Sequence, residues 1–128
     1  MNWLVGKIVS QQIAQGIAFI KVEGDGFSLG VMSLGGEWRE GESVRACFKE
    51  SDVMIAHKQS FQISARNKFL CLVTGISENG VLARVEFDFL GRKICSLISY
   101  EALRELNVRV GEEFFWFVKS NEIILERG

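Results

Sequence analysis

Short apolar runs alternate along this chain with clusters of glycine, serine, asparagine and aspartate, and proline is absent. Runs of this length, separated by turn residues, are typical of β-strands. The pattern predicts five strands, a break, and five more strands. Their predicted positions are residues 3–10, 17–23, 27–33, 43–49, 52–56, 69–76, 81–89, 92–98, 113–119 and 122–126.

The two groups of strands look like two copies of one unit. Ser96-Leu97 repeats Ser33-Leu34, and Lys119 repeats Lys49 at a longer spacing along the chain. The second copy therefore has about seven extra residues between these points, a difference typical of one inserted element.

The extra residues predict the one helix of the chain, at Tyr100–Asn107. Ser99 is a natural N-cap, and Leu103 and Leu106 fall on one face of that helix. In the first copy, residues 35–40 cross the same gap as a turn.

The expected fold is all-β, with two small OB-like five-stranded barrels in tandem and one short helix in the second. We predict a first domain at residues 1–57, a second at residues 63–128, and a linker at residues 57–63. A unit of roughly 60 residues buries only a marginal core, so the units should pack together or dimerise.

Composition narrows the class of protein. The chain has 128 residues, 48% of them hydrophobic and 24% charged, with a net charge of −1. A nucleic-acid binder usually presents a net basic face, so this class is disfavoured. The sequence shows no signal peptide and no run of about 18 apolar residues that would insert in a membrane, so we expect a cytoplasmic protein.

Catalytic and metal-binding motifs are missing from the sequence. Cys47, Cys71 and Cys95 each lie in an apolar stretch and are interpreted as reduced core residues. His57, the single histidine, has no neighbouring ligand. We therefore predict neither an enzyme nor a metal site.

Two polar strings flank apolar strands and carry the candidate chemistry. Ser64-Ala65-Arg66-Asn67 precedes one strand, and Lys119-Ser120 follows the aromatic run at residues 114–118. Nearly all their polar groups donate hydrogen bonds and two are cationic, which suits a small oxyanion rather than a metal or an acyl substrate. The alternative is a solvated turn and a solvated lysine at a strand end.

Ser99 is a third candidate. As an N-cap it places its hydroxyl beside the free N–H groups of Tyr100 and Glu101, where anions are favoured. Glu101 must then point away from the anion. The alternative is a capping serine without a ligand.

The second copy resembles a known family. From Ile63-Ser64-Ala65-Arg66-Asn67 to residues 117–124 it is similar to molybdenum-pterin-binding (Mop) or TOBE domains, and the first copy resembles a divergent TOBE unit. The tandem resembles a di-Mop module and the C-terminal regulatory region of molybdate ABC importer ATPase subunits. Here we expect a free-standing version, since no ATPase domain precedes it.

The resemblance implies a ligand, molybdate or tungstate, and no cofactor. Molybdenum would enter only as the oxyanion, at sites where barrels meet in a homodimer or a higher oligomer. Ser99 matches the threonine at the start of the family's helix. The positions that match the family's oxyanion-binding residues are Ser64, Ala65 and Asn67 (the last two through backbone N–H), Arg66, Ser99, Lys119 and Ser120.

The first copy departs from this pattern. It lacks the Ser-Ala-Arg-Asn string, and Glu50 stands where Ser120 stands in the second copy. A carboxylate repels an oxyanion, so we do not expect a full second site there. Ser33, Lys49 and Ser51 are candidates for a secondary role.

The sequence thus predicts a cytoplasmic molybdate- or tungstate-binding protein for molybdenum homeostasis or for regulation of molybdate transport. A molybdate ABC transporter ATPase is a candidate partner. We expect this chain to bind no nucleic acid and not to insert directly in a membrane. Two alternatives stay open. One is a protein-interaction or regulatory module of a transporter with a vestigial site, and the other is an OB-type nucleic-acid binder.

Overall fold

A computed structural model describes residues 1–59 and 62–128, so part of the predicted linker, residues 60 and 61, lies outside the described residues. The described chain forms ten strands, one α-helix (α1, Tyr100–Leu106) and two 3-10 turns (Glu50–Asp52 and Ser120–Glu122). The strands are β1 (Asn2–Ala14), β2 (Ile17–Gly24), β3 (Phe27–Leu34), β4 (Ser43–Phe48), β5 (Met54–Ala56), β6 (Asn67–Glu78), β7 (Leu82–Phe89), β8 (Arg92–Ser99), β9 (Glu113–Val118) and β10 (Ile124–Arg127). The predicted mainly-β class, with one short helix in the second unit, is confirmed.

Alternation of side chains explains the strands. In β1, Leu4 and Ile8 are buried while Trp3 and Val5 point outwards. Successive side chains of a strand leave on opposite faces, so one face of the sheet lines the core. Helix α1 begins at its predicted cap, because the Ser99 hydroxyl accepts a hydrogen bond from the N–H of Ala102 at 3.0 Å.

The strands form two antiparallel five-stranded sheets that exchange their last strands. The order of the first sheet is β10-β4-β1-β2-β3, and that of the second is β5-β9-β6-β7-β8. Ile124 of β10 lies opposite Cys47, and Met54 of β5 lies opposite Phe117. Each unit therefore lends its final strand to the other. The division at residues 57–63 did not foresee this exchange, and it stays a prediction about domains.

Strand pairing fixes how the copies correspond. Ser33 lies opposite Ala18, and Ile98 lies opposite Ala83, which places Ile98 at the position of Ser33. Phe48 of β4 pairs with Asn2, and Val118 of β9 pairs with Asn67, so Val118 stands at the position of Phe48. The offset in residue number from Phe48 to Val118 is larger than the offset from Ser33 to Ile98.

The register therefore gives the second copy five extra residues rather than about seven, and the predicted match of Ser33 with Ser96 is wrong. The prediction matched two Ser-Leu dipeptides by residue type. The true correspondence follows from the strand register, which the sequence does not show.

One hydrophobic core runs through both units. The rings of Phe69 and Phe89 both lie against Trp116, with centroids 4.9 and 5.2 Å away. Phe48 of the first unit stacks on the same indole at 5.9 Å. The core side of the aromatic run at residues 114–118 is thus buried, as predicted, and ties the units together.

Two buried asparagines join the sheets through reciprocal hydrogen bonds. Asn67 Oδ1 accepts from the N–H of Gly30 at 2.8 Å, and its Nδ2 donates to the carbonyls of Gly30 and Val118 at 2.9 and 3.2 Å. Asn2 makes the equivalent pair with the N–H and carbonyl of Cys95, at 2.9 and 2.8 Å. Each carboxamide thus pairs with a backbone segment of the other unit as a neighbouring strand would.

The first copy lacks the Ser-Ala-Arg-Asn string as a whole, but Asn2 is the equivalent of its asparagine. It occupies the position of Asn67 and makes the same reciprocal pair of hydrogen bonds with a strand of the other unit, so the asparagine of the string is present in both copies. Met1 stands at the position of Arg66. The common asparagine is a structural residue.

Within the described residues, no helix is both long and apolar enough to span a bilayer.

Replacing Asn67 by alanine should lower the free energy of unfolding by about 2 to 4 kcal/mol, because buried N–H and C=O groups of Gly30 and Val118 lose their partners. Chemical denaturation without added ligand measures this. Asn121→Ala is the control, since Asn121 is exposed at the same end of the molecule. Equal, small losses in both variants would contradict the structural role of Asn67.

Candidate functional site

The two predicted polar strings meet where β6 begins and β9 ends. Asn67 and Val118 are paired in the ladder between these strands. Arg66 precedes Asn67 and Lys119 follows Val118, so the antiparallel register brings both cationic residues out of the sheet at one point. The structure therefore brings together the two strings that the sequence singled out.

Arg66 is exposed but held by its own loop. Its Nε donates to the carbonyl of Ser64 at 3.2 Å, and its Nη2 donates to the carbonyl of Ile63 at 2.8 Å. A guanidinium has five N–H groups, so most of its donors stay available to a ligand. Ser64 is exposed and Ala65 is half-buried beside it.

Lys119 and Ser120 lie where the chain crosses to the first unit. Lys119 is exposed, whereas Ser120 is only 8% exposed and begins the 3-10 turn Ser120–Glu122. This turn packs against β3 of the first unit. The candidate site thus lies where the second unit meets β3 of the first.

Ser33 lies in a groove next to this turn. The groove has a volume of about 560 Å³, and its lining includes Ser33, Asn121 and the apolar side chains of Met32, Leu34 and Ile124. Ser33, predicted as a secondary residue of the first copy, therefore belongs to the side of the molecule that carries Ser120.

The two cations of the candidate site are not paired with carboxylates. Among the ion pairs of the described residues, none involves Arg66 or Lys119. Two cations that flank one strand pair and have no carboxylate partner favour a bound anion. Asn67 takes no part through its side chain, because its carboxamide is fully used by Gly30 and Val118.

Ser99 does not join these residues within the chain. It pairs with Leu82 at the end of β8. This places it near the C-terminal end of β6, whereas Asn67 lies at the N-terminal end of that strand. Its hydroxyl caps α1, as the alternative interpretation proposed. A role for Ser99 in the oxyanion site requires a second copy of the chain.

Lys49 and Ser51 lie at the counterpart of the site, in and beside the turn Glu50–Asp52, and both are exposed. This turn packs against β8 of the second unit. Between them the Glu50 carboxylate accepts from Arg84 Nε and Nη2, at 2.8 and 3.2 Å. These hydrogen bonds hold the pKa of Glu50 below its usual range. The predicted secondary residues are therefore split between two regions.

Sequence reasoning missed Arg84. It is one of the polar residues of an alternating strand, and nothing in the neighbouring sequence indicates a role for it. Only the crossing of the first unit's turn onto the second sheet brings Glu50 to it.

The three cysteines are free thiols, but the prediction that all of them lie in the core is wrong for Cys47. Cys71 and Cys95 are buried free thiols whose pKa values are raised by burial, and Cys47 is a half-buried free thiol near Glu126. His57 lies edge-on against Phe114, with ring centroids 5.7 Å apart. No cluster of three metal-ligating side chains occurs in residues 1–59 and 62–128.

A comparison with solved structures identifies the architecture. The cytoplasmic molybdate-binding protein ModG, in a crystal form with molybdate bound, superposes with a TM-score of 0.93 at 23% identity. The superposition covers 99% of this chain and 96% of that one. This chain is therefore a tandem of two OB-like β units, as the sequence predicted.

Sequence comparisons identify the family. The TOBE domain matches residues 63–125. The molybdenum-pterin-binding protein 2 of Clostridium pasteurianum is 38% identical over 64 residues, which are 49% of this chain and 94% of that protein. The chain belongs to the family of molybdenum-pterin-binding proteins.

A longer relative shares the same module. The molybdenum transport protein ModE of Azotobacter vinelandii is 33% identical over 73 residues, which are 56% of this chain. The match spans only 27% of ModE, so it concerns one region of that protein.

Glu50→Gln should lower the melting temperature at neutral pH, because it removes the charge that Arg84 binds. A carboxylate with a depressed pKa stabilises the fold above its unfolded pKa, about 4.3, and this stability is lost as the pH falls through the folded pKa. Thermal unfolding from pH 7 to pH 3 should show the difference between variant and wild type shrinking in acid.

Glu126→Gln is the control, since its pair with Arg45 is about half exposed on both sides. Such pairs contribute roughly 0 to 1 kcal/mol, so its effect should be small at every pH. A Glu50→Gln difference that is the same at pH 3 and pH 7 would contradict the assignment.

Proposed function

We propose that this protein binds molybdate or tungstate at the junction of its two units, and that Arg66, Lys119, Ser64 and Ser120 provide the principal contacts. Backbone N–H groups of Ala65 and Asn67 complete the donor set. The bound species is the intact oxyanion, and the proposal assigns no catalytic step to the protein.

The observation that carries the proposal is that Arg66 and Lys119 flank the paired residues Asn67 and Val118 and have no carboxylate partner within the described residues. Arg66 and Lys119 supply two positive charges at the exit of a buried, rigid ladder. A tetrahedral dianion that leaves water needs charge compensation and several charge-assisted donors. Lys119 directly follows β9, and Arg66 is held by hydrogen bonds to the carbonyls of Ser64 and Ile63, so its guanidinium is positioned before the ligand arrives.

The relatives support the identity of the ligand. ModG, which has the same fold, is described as a cytoplasmic molybdate-binding protein, and the matched relatives are named for molybdenum transport and molybdenum-pterin binding. We infer the same oxyanion here, in the cytoplasm. The protein then serves as a molybdate buffer or as a regulatory partner of a molybdate importer and its ATPase.

We infer that the functional species is a homodimer. Leu34 is 85% exposed and Ile124 is 65% exposed in the groove next to Ser120, and Trp3 is 53% exposed on the outer face of β1. Contiguous apolar surface of this kind marks an interaction site. A second copy covers it, and brings its Ser99 to the oxyanion.

Molybdate and tungstate should raise the melting temperature of the wild-type protein, while sulfate at equal ionic strength raises it far less. A ligand that binds the native state stabilises it by mass action, by about 2.7 kcal/mol at a hundredfold excess over Kd. Arg66→Ala should lose most of this shift and keep the melting temperature of the ligand-free protein.

The matched control is Arg109→Ala. Arg109 is also exposed and also held by a local hydrogen bond, from its Nε to Asn107 Oδ1 at 3.1 Å. This variant should keep the full molybdate shift. The proposal fails if millimolar molybdate gives no selective shift in the wild type.

Ser99→Asp tests the contribution of the second copy. Aspartate preserves the N-cap of α1 but places a negative charge beside the oxyanion, so we expect weaker molybdate binding with an unchanged melting temperature of the ligand-free protein. Sedimentation equilibrium should give the mass of a dimer. A monomer that binds molybdate with full affinity in both proteins would refute the shared site.

A further inference from the structure

The pseudo-symmetry of the molecule gives the oxyanion site a counterpart at the other crossing. Lys49 leaves the ladder after the pair Asn2–Phe48, as Lys119 leaves it after the pair Asn67–Val118. Each lysine precedes a 3-10 turn that packs on the other unit. The first residue of the turn differs, since it is Glu50 at one crossing and Ser120 at the other.

The Glu50 carboxylate is bound at this counterpart as a ligand would be. Both of its oxygens accept from Arg84, at 2.8 and 3.2 Å, and its side chain is only 22% exposed. Arg84 pairs with Leu97 in the second unit, and Phe19 pairs with Met32 in the first. Phe19 is therefore the equivalent of Arg84 at the crossing that carries Ser120. The first crossing thus has an arginine that the second crossing lacks.

The charged groups around Glu50 form a network of ion pairs. Arg84 also lies 3.8 Å from Glu86, and Glu86 pairs with Lys93 at 2.8 Å. The N-terminal ammonium lies 3.5 Å from Glu50, and Lys49 adjoins the same carboxylate in the chain. Both carboxylates of the network thus have cationic partners. At the other crossing, the two cations have no carboxylate partner within the described residues.

We propose that the first crossing is a second oxyanion site that Glu50 keeps closed as a built-in anion. This inference rests on the proposed function of the Arg66 site. When the carboxylate is removed, molybdate binds at the first crossing, with Arg84 and Lys49 as its cationic contacts.

The physical basis is competition for one guanidinium. Arginine binds a carboxylate or the oxygens of a tetrahedral anion with the same planar fork of donors. A carboxylate on the same chain competes at an effective concentration of order millimolar or above. Free molybdate well below that concentration cannot displace it. One open site and one closed site per chain then follow, because the carboxylate of Glu50 stands at the first crossing where the hydroxyl of Ser120 stands at the other.

Equilibrium dialysis with molybdate, in parallel on the wild type and on Glu50→Ser, tests the proposal. The substitution installs the residue found at the other crossing, and the variant should bind one more molybdate per chain than the wild type. Glu50→Ser combined with Arg84→Ala should return to the wild-type stoichiometry. Glu126→Ser, which breaks an exposed ion pair with Arg45, should leave the stoichiometry unchanged.

The outcomes separate this inference from the function on which it rests. A wild type that binds molybdate, with no gain in Glu50→Ser, overturns the closed site alone. A wild type that binds none refutes the Arg66 site, and the gain in Glu50→Ser still decides the first crossing. If Glu50→Ser folds poorly, Glu50→Gln removes the charge at nearly constant shape, and absence of an extra molybdate in that variant overturns the inference.

Discussion

The hydrogen bonds of Asn2 and Asn67 are the constraint on which the rest of this molecule depends. Each carboxamide pairs with the backbone of a strand from the other unit, at Cys95 and at Gly30. These bonds fix β3 and β8 relative to the ends of β9 and β4. A buried amide that lost its partners would leave several groups unsatisfied, so the two units have one relative position. The walls of the candidate site are held by that position.

The exchange of β5 and β10 turns two repeats into one structure with two composite regions. After β4 and after β9 the chain crosses to the other sheet, and the 3-10 turn at each crossing packs on a strand of the other unit. Neither region belongs to one repeat. The same scaffold therefore presents two related regions that differ in few residues, chiefly Glu50 with Arg84 in one, and Ser120 with Arg66 in the other.

Much of the fold could be predicted from the sequence because the signals were local. Alternating burial, glycine-rich turns and the Ser99 cap depend on neighbours in the chain, and they located ten strands and α1 within a few residues. The strand exchange could not be predicted, since the edges of β4 and β9 are chemically alike and either one accepts a fifth strand. The same limit led to the wrong match of Ser33 with Ser96, which depends on register.

The site could be predicted in part. Arg66 and Lys119 were singled out by the donors and cations of their strings, and the pairing of β6 with β9 places the ends of those strings side by side. Their role in an oxyanion site stays a prediction. The structural role of Asn67 and the ion pair of Arg84 with Glu50 depend on contacts between units, and no pattern within one unit reveals them. Ser99 was located correctly as a cap, while its contribution to an oxyanion site stays a prediction.

Anomalous diffraction at the molybdenum edge, from crystals grown with molybdate, tests the central claim most directly. The account predicts a molybdenum peak between the guanidinium of Arg66, the ammonium of Lys119 and the hydroxyl of Ser120, and no peak beside Glu50. A peak elsewhere, or none at saturating molybdate, would contradict it.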